Sequence, residues 1–153
     1  MTLARDNEAC HVANSPRSRF QVHPTLKYHR SASLYGVDDD ESVRETLPDL
    51  LREFGLASKA FATPSDFLQS AFLDKTTCLI LDIAMPGMSG PELRRELLRR
   101  GHDIPTIFIT AHADFASRPD MCEGVVDCLM KPFSETALLE ALKKALKSKY
   151  SSR

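Results

Sequence analysis

The sequence predicts an α/β protein, a doubly wound five-stranded parallel sheet in the order 2-1-3-4-5. Three observations carry that prediction. Apolar runs alternate five times with amphipathic helical stretches. The runs from Cys78 to Leu81 and from Pro105 to Thr110 read as strands covered on both faces. A polar functional group follows four of the five runs, where the carboxyl edge of a parallel sheet gathers ligands. Strict alternation implies right-handed crossovers with helices on both faces, and a closed barrel would need about eight such units.

Residues 1–31 lack periodicity and carry Pro16, Pro24 and few large aliphatics. They read as a disordered or loosely attached tail, mildly basic through Arg5, Arg17, Arg19, Lys27 and Arg30, leaving residues 32–150 as the folded domain. Ser33 to Val37 is the first strand, weakened by Gly36. Asp40 is placed to cap a helix whose Val43, Leu47, Leu50, Leu51 and Phe54 share one face; Pro48 is expected to kink it. Ala57 to Ala62 is a modest second strand. Thr63, Pro64 and Asp66 then start a helix with Phe67, Leu68, Ala71 and Phe72 inward.

After the Asp82 strand, Ser89 and Glu92 form a capping box for a helix with Leu93, Leu97 and Leu98 inward, closed by Arg99, Arg100 and Gly101. The segment 113–123 contains Pro119 and is expected to form only a short or broken helix. Val125 to Met130 is the fifth strand, and Ser134 caps a last helix carrying Leu138, Leu139, Leu142, Ala145 and Leu146.

The 153 residues suit one domain with a proper core, and a net charge of −1 gives no bulk attraction to nucleic acid or anionic membrane. No apolar run approaches the roughly 18 residues of a membrane span, and Arg5, Asp6 and Glu8 interrupt the place of a signal peptide. Four scattered cysteines, Cys10, Cys78, Cys122 and Cys128, read as reduced, mostly buried thiols of a cytoplasmic protein. A metal site from Cys10, His11, His23 and His29 lacks any supporting ligand spacing.

The strand ends carry Asp38 and Asp39, then Asp82, Thr110 and Lys131. In the predicted order the first and third strands are neighbours, so acids and lysine converge in one pocket. Gathered carboxylates repel and share protons, a strain that a hard divalent cation such as Mg²⁺ relieves. Lys131 and Thr110 supply the other half of a site for a tetrahedral anion. Asp82, between the halves, is poised to accept a phosphoryl group as an acyl phosphate.

The stretches "VDDDE", "LILDIAMPGMSGPEL", "IPTIFITAHAD" and "KPF" resemble the receiver domains of bacterial two-component response regulators, over about residues 33–148. The resemblance implies the flavodoxin-like receiver fold. It implies Asp82 as phosphoacceptor, Asp39 as direct metal ligand with Asp38 beside it, the Ala84 carbonyl completing the Mg²⁺ shell, and Thr110 and Lys131 on phosphoryl oxygens. It implies a histidine kinase or phosphotransfer protein as phosphodonor, and a signalling module rather than an enzyme with an external substrate.

The sequence departs from the pattern at Cys128, where an aromatic switch residue is usual, and at Pro48 and Pro119. A degenerate receiver serving as interaction scaffold is therefore one alternative. A Mg²⁺-dependent aspartyl phosphohydrolase is another, opposed by Ala84 standing where such an enzyme has its second aspartate. No DNA-binding module follows, so the expected output is contact with a protein partner. The remaining motifs have plain readings: a solvated helix face for Arg94, Arg95, Arg99 and Arg100, and a loop position for His112.

Overall fold

The computed structural model describes residues 31–120 and 122–151. The expected tail, apart from Ser31, and any use of Cys10, His11, His23 or His29 lie outside the described residues. The strands are β1 (Ser33–Val37), β2 (Ala57–Phe61), β3 (Cys78–Asp82), β4 (Thr106–Thr110) and β5 (Asp127–Met130). The helices are α1 (Glu41–Glu53), α2 (Pro64–Leu68), α3 (Gly90–Arg99), α4 (Ala113–Ala116) and α5 (Glu135–Ser151). All strand pairs are parallel and run in the order β2-β1-β3-β4-β5, as the alternation predicted.

The strand residues split by parity between two core layers. Leu34, Cys78, Ile80, Ile107, Ile109 and Leu129 face a layer closed by Leu47 and Leu51 of α1 and Leu138, Leu142 and Leu146 of α5. Tyr35, Val37, Leu79, Leu81 and Phe108 face the other layer with Phe67 of α2 and Leu93 and Leu97 of α3. Every residue of β3 and β4 is buried, the condition that makes an unbroken apolar run read as a central strand.

The caps follow the sequence. Asp40 accepts from the Ser42 amide at 3.0 Å, Thr63 from Asp66 at 3.1 Å, and Ser89 and Glu92 close a reciprocal capping box. Pro48 is carried inside α1 without ending it.

Helix α2 is shorter than its apolar spacing predicts. The Ser70 hydroxyl donates to the Phe67 carbonyl at 2.7 Å and accepts from the Phe72 amide at 3.3 Å, diverting the backbone into a turn and a 3-10 segment, Leu73–Lys75. Phe67 and Phe72 still pack with Tyr35 and Phe61. Helix α4 is a single turn, in line with the expectation of a short helix ahead of Pro119. Strand β5 starts at Asp127, two residues later than expected, although the Val126 amide already donates to the Thr106 carbonyl at 2.8 Å.

Helix α3 begins against the end of β3. The Gly90 amide donates to the Ile83 carbonyl at 2.9 Å. A Cβ on Gly90 would lie 2.5 Å from the Asp82 carbonyl oxygen and 3.1 Å from the Ile83 Cα, both backbone atoms that cannot swing aside. Gly90→Ala is expected to lower stability by about 1–3 kcal/mol, read as a reduced urea midpoint at unchanged slope. A midpoint equal to wild type would show that the contact between α3 and β3 is looser than described.

Candidate functional site

Sheet register builds the site. Val37 lies beside Leu81, so Asp38 and Asp82 leave adjacent strands side by side. Asp82 is paired with Ile109, which sets Thr110 one step further along, and Thr110 is paired with Met130, immediately before Lys131. The strands themselves therefore hold the residues together, with loops adding only Asp39. Asp38 and Asp82 are 2% and 5% exposed, so their charges face little water.

The ammonium of Lys131 meets both of these carboxylates. Its Nζ lies 2.7 Å from Asp38 Oδ2 and 3.6 Å from Asp82 Oδ2. Asp38 is further fixed by the Asp40 amide, which donates to Oδ1 at 2.9 Å, while the Arg44 guanidinium donates to the Asp38 carbonyl at 3.1 Å. Asp38 Oδ2 is nonetheless buried without a hydrogen bond of acceptable angle, since the Lys131 contact is an ion pair rather than an aligned bond. Acceptor capacity is thus left open in the pocket.

Asp38, Asp39 and Asp82 each place a carboxylate oxygen within 4.8 Å of the others. Hard oxygen donors in this number fit Mg²⁺, and the unfilled Oδ2 gives a cation a reason to enter. Burial, and then the negative charge of Asp38, push the Asp82 carboxyl up to about 7, with Lys131 opposing. Burial alone would lower the Lys131 ammonium; contact with Asp38 and the charges of Asp38, Asp82 and Asp40 outweigh it and raise the ammonium above its ordinary value.

Thr110 is fully buried, and its hydroxyl accepts from the His112 amide at 3.0 Å. That bond holds the hydroxyl to the loop backbone. Ala84 lies on the exposed loop two residues past Asp82. The His112 ring rests edge-on against Phe115 at 5.8 Å, the loop role expected of it.

Sequence reading missed three supports. Gly90 needs its missing side chain for the β3 contact, and Arg44 braces the Asp38 backbone. Arg94 leaves the expected solvated face: its Nη2 donates to the Gly124 carbonyl at 2.6 Å and its Nε is buried. None has a local sequence signal, because each depends on residues brought close only by the crossovers. Arg99 and Arg100 instead grip Glu96 on their own helix.

Ionising Asp82 works against folding while the cluster lacks a cation. Its folded value of about 7 lies above the ordinary 3.8, so the cost is absent at acid pH and grows as pH rises through that interval. Asp82→Asn is expected to stabilise the metal-free protein at pH 8 by on the order of 2 kcal/mol, with the advantage vanishing toward pH 4. Mg²⁺ should raise the melting temperature of wild type more than that of the variant. A variant less stable than wild type at pH 8 would contradict the crowded-carboxylate account.

Comparison with known proteins agrees with this geometry. The family described as "Response regulator receiver domain" matches residues 35–143. Response regulator protein TodT of Pseudomonas putida is 41% identical over 119 residues, 77% of this chain and 52% of that protein. Nodulation protein W of Bradyrhizobium diazoefficiens is 43% identical over 112 residues, 72% of this chain and 49% of that protein. Among solved structures, response regulator StyR superposes with a TM-score of 0.73 at 41% identity, covering 80% of this chain and 63% of that one. FixJ-N gives 0.67 at 35% identity, covering 76% of this chain and 94% of that one.

The chain spans about half the length of these curated relatives, so an output confined to protein contact does not follow from its sequence. With the sheet order, the strand-end residues and a family match across nearly the whole sheet in agreement, the chain belongs to the response regulator receiver domains of two-component systems.

Proposed function

We propose that Asp82 accepts a phosphoryl group and that the chain is the phosphoacceptor switch of a two-component or phosphorelay system. The observation that carries this reading is the buried Asp38–Lys131–Asp82 arrangement, with Nζ 2.7 Å and 3.6 Å from the two carboxylates. A lone ammonium between buried acids is costly to assemble for structure alone. It is well suited to an anion that arrives at Asp82.

In the proposed step a carboxylate oxygen of Asp82 attacks phosphorus as the bond to the donor, a phosphohistidine of a kinase or phosphotransfer protein, breaks. The product is an acyl phosphate. Asp38, Asp39, Asp82 and the Ala84 carbonyl would hold Mg²⁺, which when bound neutralises charge on the transferring oxygens. Lys131 moves its charge from Asp38 toward a phosphoryl oxygen. Thr110 releases the His112 amide and donates its hydroxyl to another oxygen, drawing the β4–α4 loop inward. The residue two past Asp82 is Ala84, which has no acid to drive turnover of a phosphate ester, in keeping with a signalling module. Among the described residues no helix is long and apolar enough to cross a membrane, and we place the domain in the cytoplasm with its kinase.

Incubation with acetyl phosphate and Mg²⁺ should add one phosphoryl group, read by intact mass. EDTA or Asp82→Asn should abolish the addition. Lys131→Met should slow it by about 10²-fold, as for loss of one preorganised cationic donor. Uptake by Asp82→Asn at the wild-type extent would refute the assignment.

A further inference from the structure

Cys122 and Cys128 bracket a reversal of the chain ahead of Lys131. The Val125 amide donates to the Cys122 carbonyl at 3.4 Å, and Gly124 takes a φ of 74° that a side chain would strain. The chain then enters β5, where Cys128 packs beside the α2–α3 core layer. The turn brings the two half-buried thiols together, and the Cys128 thiol hydrogen-bonds with Cys122. Among the described residues the one group of three metal-ligating side chains is the aspartate trio, so a metal does not account for this pairing.

The two sulfurs have unequal roles. Burial, followed by the bond with Cys122, holds the Cys128 thiol up to about 12. Cys128 is therefore the proton-bearing partner, and Cys122 presents the sulfur able to meet an oxidant. Cys78 differs from both: it is fully buried in β3 and is set apart from this pair.

We propose that Cys122 and Cys128 are a modification site, closing to a reversible disulfide on exposure to a hydroperoxide. The Cys122 sulfur attacks one peroxide oxygen, the O–O bond breaks, and Cys122 becomes a sulfenic acid as water or an alcohol leaves. The Cys128 sulfur, giving up its proton, then attacks the Cys122 sulfur; the S–O bond breaks and water leaves. Two thiols supply the two electrons that the peroxide takes, and a reducing dithiol reverses the change. The bridge would staple the α4–β5 connector to β5, three residues ahead of Lys131, where the family's usual aromatic is replaced by Cys128. This inference is independent of the phosphoacceptor reading.

The test uses the full chain, one equivalent of hydrogen peroxide, rapid alkylation and peptide mapping. The expected result is a Cys122–Cys128 bridged peptide lacking two hydrogens, restored to two alkylatable thiols by dithiothreitol and absent from Cys122→Ser and Cys128→Ser. Free thiols at both positions after peroxide would overturn the proposal. So would stable sulfinic acid at Cys122 with Cys128 free, or preferential bridging to Cys10 or to a second chain. Because the mapping is done on wild type, a poorly folding variant does not obscure the answer. Phosphoryl uptake measured on the same sample keeps failure of this proposal distinct from failure of the Asp82 assignment.

Discussion

The contact between the Lys131 ammonium and the carboxylates of Asp38 and Asp82 organises this molecule. Three charged groups with little access to water persist only in a precise mutual arrangement, since each is costly alone. Even so the balance is incomplete: a buried Asp38 oxygen lacks an aligned donor and the Asp82 carboxyl is held up to about 7. The domain thus retains a locally unfavourable charge distribution that a cation and an anion together would resolve. Functional sites commonly hold such strain, and here it is electrostatic rather than conformational.

The rest of the fold supplies the rigidity this demands. Parallel pairing of β1 with β3 puts two acids on neighbouring strands, and a shift of register by one residue would turn one of them into the apolar core. The two core layers grip β3 and β4 from both sides. The α3 N-terminus seats against the end of β3 only because Gly90 carries no side chain. Arg94 then ties α3 to the connector preceding β5, the strand that delivers Lys131. Phosphoacceptor, helix start and lysine are therefore mechanically linked by backbone contacts rather than by a row of flexible side chains.

Much of this was legible in the sequence, for reasons that can be named. The apolar runs of β3 and β4, the Ser89–Glu92 capping box and the Thr63-Pro64 helix start are local signals that tertiary packing did not override. The convergence of Asp38, Asp82 and Lys131 followed from sheet order alone. What failed was also physical. The length of α2 was overestimated because Ser70 caps the Phe67 carbonyl, a competition that apolar spacing does not register. Arg94 was assigned to solvent because its partner Gly124 is thirty residues away in the chain. The Cys122–Cys128 contact was hidden for a similar reason, since it needs the reversal at Gly124.

The central claim is that Lys131 and the acidic trio form one cradle, shared between a cation and a phosphoryl group on Asp82. A crystal structure with Mg²⁺ and beryllofluoride, a phosphoryl mimic, tests it most directly. The account predicts metal density on Asp38, Asp39 and Asp82, the mimic on the Asp82 carboxylate, and Lys131 turned from Asp38 onto a fluoride. Mimic bound away from Asp82, or Lys131 still paired with Asp38 while the mimic is bound, would contradict it.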